Sequence, residues 1–248
     1  MSPAPRILLC AGHEPTGRAG RLADVEAVRA SGGAPVAVPT AQTAQGRGTF
    51  LLRPTPARVL EAQVAAALEL GPLNAVKLGM VPGPALLASL RAALAGVDAW
   101  WVVDPVTRTS RGEPLSRLTA RHYLALAGAR VVVTPNLDEA AWLLGTGPVR
   151  SVEEARAAAR ALVARGFGAA LVKGGHRASG AVDVLGLPGR EVVLVGERLV
   201  RPPERRGTGC RLASALAVEL GRGRGLVPAA RRAKAHVARY LLTGADRR

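Results

Sequence analysis

Short apolar runs, each closed by a polar or glycine-bearing turn, alternate with helical patterns from one end of the chain to the other. This alternation restricts the fold more than any other feature, because a strand buried on both faces needs helices above and below it. "RILLCAG" (Arg6–Gly12) reads as a buried strand, and an amphipathic stretch runs from Arg21 to Ala30. "APVAVPT" is a second strand. "TPARVLEAQVAAALEL" then opens a helix, with Thr55 as its predicted cap and Pro56 at the first helical position. The beat continues through "NAVKLG", "PALLASLRAAL", "AWWVVDP", "ARVVVTP", "EEARAAARALVARG" and "GAALVKGG". The expected architecture is α/β: a three-layer, doubly wound, mostly parallel sheet with helices on both faces. "AVDVLGL", "EVVLVG" and "ERLVRPP" predict a short meander ahead of two closing helices. No linker, repeat or low-complexity segment interrupts the pattern, so residues 1–248 are expected to form one domain.

Composition narrows the class of partner. No apolar run reaches bilayer length, and the apolar part of "MSPAPRILLCAG" is too short for a signal peptide. Two cysteines, Cys10 and Cys210, make neither a disulfide framework nor a metal-ligand spacing, so a cytoplasmic protein without a membrane partner is expected. The net charge of +16 raises the question of nucleic acid, but aromatic residues are only 3% of the chain and no nucleic-acid motif is present. A small-molecule partner is the better expectation. Of the 34 basic residues only Lys77, Lys173 and Lys234 are lysines, which points to a local reason at each.

In a doubly wound sheet ligands bind beyond the carboxyl ends of the strands. Those ends read "CAGHE", "VPTAQTAQ", "KLGM", "VVDPV", "VTPNLDE" and "VKGGH", all rich in polar groups. "GHEPTGRA" has the glycine spacing of a phosphate-binding loop but lacks its lysine and following hydroxyl, so it reads as a tight strand-to-helix turn. "GTGC" carries a sharper signal. Gly207 and Gly209 let backbone N–H groups approach an anion, and the helix that follows adds its positive end, a site suited to a phosphoryl group in transfer. A thiol at that helix mouth, Cys210, is expected to have a lowered pKa and to act as proton acceptor or nucleophile, the alternative being a buried small apolar residue. Asp104 and Glu139 follow neighbouring strands, as carboxylates that organise magnesium against phosphates do. Asn136 and Asp138 are also natural helix caps. Lys173 ends another strand, directly before two glycines.

Together "CAGHEPTGRAGRLAD", "TAQTAQ", "AVKLGM", "VVDPV", "TPNLDEA", "LVKGGH", "GTGC" and "ARRAKAHV" resemble the ribokinase-like superfamily, most closely its hydroxymethylpyrimidine/phosphomethylpyrimidine kinases of thiamine biosynthesis. The resemblance implies ATP-dependent phosphorylation of the pyrimidine's hydroxymethyl group and of the resulting monophosphate, with magnesium as metal and a homodimer as assembly. It implies that Gln45 bonds the aminopyrimidine edge, with Gly12, Asp24, Met80 and Val106 lining that pocket. It further implies Asp104 and Glu139 at magnesium, and Lys173, Thr208 and Asn136 on the nucleotide side. Cys210 would stand beside the acceptor hydroxyl with Gly207 and Gly209, where the superfamily's sugar kinases have an aspartate base.

Several segments depart from that pattern: "GHEPTGRAG" stands for "GSDPSGGAG", "AQGR" for "AQNT", and "TRTSRGEP" follows "VVDPV". The changes bring Arg18, Arg47, Arg108, Arg111 and Arg211 toward the expected acceptor site, which would favour an already phosphorylated acceptor. The alternatives are a pyridoxal kinase and a catalytically silent relative that binds thiamine precursors.

Overall fold

The computed structural model describes residues 3–46, 48–109, 111–174, 182–196 and 205–245. One nine-stranded sheet organises them: β1 (Arg6–His13), β2 (Ala34–Gly46), β3 (Thr49–Pro54), β4 (Ala75–Leu78), β5 (Trp100–Val103), β6 (Val131–Val133), β7 (Ala169–Val172), β8 (Val182–Leu187) and β9 (Arg190–Val195). Their order in space is β3-β2-β1-β4-β5-β6-β7-β8-β9. The run from β2 to β7 is parallel throughout, and both ends of the sheet turn antiparallel, at β3 and at β8–β9.

The helices among the described residues are α1 (Gly20–Ala30), α2 (Ala57–Glu69), α3 (Pro84–Ala93), α4 (Ala120–Leu124), α5 (Leu137–Leu144), α6 (Val152–Ala164), α7 (Thr208–Gly221) and α8 (Leu226–Thr243). They divide between the two faces because successive strand residues point opposite ways. Leu8 and Cys10 of β1 join the core under α2, α3, α4, α5 and α6, while Ile7 and Leu9 join the core under α1, α7 and α8. Every residue of α7 from Arg211 to Leu220 is buried. A helix enclosed all round is a rigid support, and small residues at Ala213, Ala215 and Ala217 let its neighbours approach closely.

The three-layer, mostly parallel expectation is met, with two local differences. β2 continues well past "APVAVPT" and pairs with β3 in a hairpin that the sequence pattern did not announce. Thr55 does not cap α2: its hydroxyl donates to the Pro39 carbonyl at 2.7 Å, and Pro56 occupies the cap position. β8 and β9 form the first part of the expected meander, and its third segment, "ERLVRPP", lies outside the described residues. Among the described residues no helix is long and apolar enough to cross a membrane.

Candidate active site

The strand ends and the start of α7 enclose a cavity of about 740 Å³. Its floor at one end is the segment Gly207–Cys210. Gly207 is the N-cap of α7 with φ 77°, a left-handed conformation, and a Cβ there would lie 2.2 Å from the Arg18 carbonyl oxygen. Only glycine fits. A Cβ on Gly209 would lie 3.1 Å from Lys173 Nζ, so the ammonium sits directly over the loop. Thr208, Gly209 and Cys210 thus offer the unpaired N–H groups of a helix start beside a buried cation, which together make an anion site.

Lys173 is fixed by carboxylates from two neighbouring strand ends. Its Nζ donates to Asp104 Oδ1 at 2.8 Å and lies 4.0 Å from Glu139 Oε2. Burial disfavours charge on all three groups, and their mutual attraction decides the outcome. The lysines Lys173 and Lys77 overcome burial at Asp104 and hold its carboxyl below the usual range. Asp104 and Glu139 likewise overcome burial at Lys173 and keep its pKa raised. At Glu139 burial wins over Lys173, and with the Asp104 charge beside it the carboxyl is pushed up to about 7. Asn136 is the N-cap of α5 and forms a reciprocal capping box with Glu139, each side chain accepting the other's backbone N–H at 2.8 Å. This cap orients Glu139 toward the cavity. Asn136 lines the cavity as well, so its capping and site roles coincide.

Among the described residues no group of three or more His, Cys, Asp or Glu side chains is arranged to hold a metal. An all-protein metal cage is therefore absent from them. Magnesium is commonly held by one or two carboxylates together with waters and substrate phosphates, and Asp104 with Glu139 fits that donor set.

The opposite end of the cavity is lined by Gly12, Thr43, Gln45, Met80, Val106 and Leu115. Ala41, Met80 and Leu115 form a small apolar cluster with Val106 packed against it, a surface for a flat ring. Gln45 and Thr43 are polar groups on that side.

Of the catalytic, acceptor, nucleotide and magnesium residues that the resemblance implies, the cavity brings together all but Asp24. That carboxylate is fully buried behind the wall, where it accepts from Lys77 Nζ at 2.9 and 2.8 Å and from Ser214 at 2.8 Å. It holds β4 and α7 to α1 and does not line the pocket. Burial opposes the Lys77 charge, but Asp24 prevails and the pKa of Lys77 is raised. The expected lowering of the Cys210 pKa is not met. Burial outweighs the nearby Lys77 charge and raises the thiol pKa, so at neutral pH the group keeps its proton. The helix-end argument neglected desolvation.

The arginines divide. Arg18 and Arg108 line the cavity, joined by Arg205 and Arg206. Arg111 reaches the Gly46 carbonyl at 2.9 Å and is not part of the lining, and Arg47 lies outside the described residues. Arg211 is buried and does not line the cavity: it donates to the Arg18 carbonyl at 3.3 Å, with its guanidinium 3.9 Å from the Tyr240 ring centre and an ion pair to Glu26 at 3.0 Å. The sequence reading missed Lys77, Thr43, Glu14 and Arg206. For Lys77 a signal existed: each of the three lysines in this arginine-rich chain forms an ion pair with an aspartate, Lys77–Asp24, Lys173–Asp104 and Lys234–Asp183.

Fold and site together define a ribokinase-like small-molecule phosphotransferase. Residues 14–246 match the family described as phosphomethylpyrimidine kinase, and the chain belongs to that family. It is 37% identical over 243 residues to a hydroxymethylpyrimidine/phosphomethylpyrimidine kinase of Streptomyces coelicolor, covering 97% of this chain and 90% of the relative. Among solved structures, phosphomethylpyrimidine kinase from Clostridium difficile superposes with a TM-score of 0.79 at 26% identity, covering 96% of this chain and 99% of that one. Pyridoxal kinase from Staphylococcus aureus in complex with AMP-PCP gives 0.87 at 25% identity, covering 98% and 89%.

Proposed function

We propose that the protein transfers the γ-phosphoryl group of ATP to hydroxymethylpyrimidine, to its monophosphate, or to both, in thiamine biosynthesis. One observation carries the reading: a single cavity sets the Lys173-covered start of α7 against a ring-sized apolar wall bearing Gln45. The relatives' names and the AMP-PCP complex of a structural neighbour support nucleotide use and a pyrimidine acceptor.

In this scheme catalysis is positioning and charge stabilisation, as phosphoryl transfer generally requires. The N–H groups at the start of α7 and the Lys173 ammonium meet the negative charge of the group in transfer. Asp104 and Glu139 would hold magnesium, which supplies further neutralisation of phosphate charge. Gln45 and the wall of Met80 and Val106 hold the acceptor ring so that its hydroxyl or phosphate oxygen points at the anion site. Cys210 lines the junction as a neutral thiol and accepts no proton at neutral pH. Arg18 and Arg108 at the acceptor side favour a phosphorylated acceptor, because guanidinium groups bind phosphate in paired hydrogen bonds. The assay is ADP release from ATP and magnesium with and without each pyrimidine. Acceptor-dependent release supports the reading, and release that ignores both pyrimidines removes it. Pyridoxal remains the alternative acceptor, favoured by the structural likeness to pyridoxal kinases.

A further inference from the structure

Gln45 is gripped from two sides. Arg206 Nη2 donates to its Oε1 at 2.8 Å, and its own Nε2 donates to Thr43 Oγ1 at 3.2 Å. Thr43 Oγ1 in turn donates to the His13 carbonyl at 3.2 Å. Bonding chemistry sets each direction. A guanidinium has no acceptor, so the amide atom facing it must be the oxygen. A carbonyl only accepts, so the Thr43 hydrogen goes to His13 and its lone pair is left to receive an amide N–H. Both ends of the relay therefore require the same orientation of the Gln45 amide.

After these bonds the amide retains one N–H and one oxygen lone pair, on a residue that lines the cavity. That pair matches a ring edge with an amino donor next to a ring-nitrogen acceptor. A flipped amide would set donor against donor and acceptor against acceptor. A pyridine alcohol without the amino group gains nothing from the orientation.

Arg206 is also the residue before Gly207, the N-cap of α7, and its carbonyl accepts from the Tyr240 hydroxyl at 3.3 Å. Its backbone thus belongs to the anion-binding loop while its side chain reaches a residue 161 positions away, on the acceptor strand.

We propose that Arg206 is a positioning residue for acceptor specificity: it locks the Gln45 amide in the orientation that reads an aminopyrimidine edge. The inference rests on the pyrimidine reading above. It acts on the acceptor and through Gln45 alone, which separates it from a general role in holding the loop.

The test is a double-mutant cycle of wild type, Arg206→Ala, Gln45→Ala and the double variant. The readouts are kcat/KM for the aminopyrimidine acceptor and KM for ATP. Each single variant is expected to lose about tenfold in acceptor kcat/KM, chiefly through acceptor KM, the scale of one hydrogen bond. The double variant should be no worse than Gln45→Ala, with ATP KM unchanged across the set. Arg206→Lys, which keeps a donor at that end, should recover part of the loss and provides a folded comparison if the alanine variant is unstable. Losses that multiply in the double variant, or a matching rise in ATP KM for both Arg206 variants, overturn the proposal. A wild type that phosphorylates no aminopyrimidine fails one step earlier and overturns the functional reading with it.

Discussion

Lys173 Nζ lies 2.8 Å from Asp104 Oδ1, a pair formed between the ends of β7 and β5 and nearly closed to solvent. The same ammonium covers Gly209, so it links the carboxylate side of the cavity to the start of α7. Replacing Lys173 with Met removes the charge over the anion site and leaves Asp104 buried without its partner. A fall in kcat of about 10²-fold or more is expected, comparable to losing an oxyanion-site donor. Steady-state kinetics with ATP as the varied substrate would measure it, and an unchanged kcat would assign Lys173 a purely structural role.

The raised pKa of Glu139 gives a stability prediction with a definite sign. Its value of about 7 in the folded protein lies above the usual 4.5, so the native state holds the proton more tightly than the unfolded chain. The resulting penalty is absent below the usual value, grows through that interval and is complete above it. Glu139→Gln keeps an oxygen to accept the Asn136 N–H and removes the charge. Near pH 8 the metal-free variant should be more stable than wild type, and near pH 4 the two should agree. Its turnover should fall and its magnesium requirement rise. Denaturant titrations at the two pH values check the first part; a pH-independent difference would contradict it.

Because burial holds the Cys210 thiol protonated, it should alkylate slowly at neutral pH and faster only on the alkaline side of an ordinary thiol. Cys210→Ala should then slow the alcohol and monophosphate reactions by similar, modest factors, since the loop amides survive. A loss confined to the alcohol would restore a proton-accepting role to the cysteine.

Lys77 and Asp24 form an ion pair with no exposed surface. Breaking such a pair from one side costs about 3–5 kcal/mol, while replacing both partners by apolar residues is often neutral. Lys77→Met is therefore expected to lower the melting temperature sharply, and adding Asp24→Leu should recover much of it. No recovery in the double variant would mean that Lys77 serves more than this pair.

The layered sheet was legible because strand and helix periods alternate without interruption, and the anion loop because "GTGC" places two glycines before a helix. What sequence reasoning lost are relations between distant segments. Lys77 sits inside an apolar run, and its partner Asp24 is 53 positions away, so the local reason for the lysine stayed unidentified and the resemblance set the aspartate in the pocket. Arg206 meets Gln45 across the cavity, which no local pattern reveals. The β2–β3 hairpin was missed because its small and polar residues, "AQTAQG", carry little alternation. Cys210 was misjudged because a helix end is visible in sequence and burial is not.

The most direct measurement is phosphoryl transfer from ATP to three acceptors under one set of conditions: hydroxymethylpyrimidine, its monophosphate and pyridoxal. The expected result is a higher kcat/KM for the pyrimidines than for pyridoxal, with the monophosphate at least equal to the alcohol. Preferential transfer to pyridoxal, or no transfer to either pyrimidine, would contradict the assignment of Gln45 and its wall as a pyrimidine site.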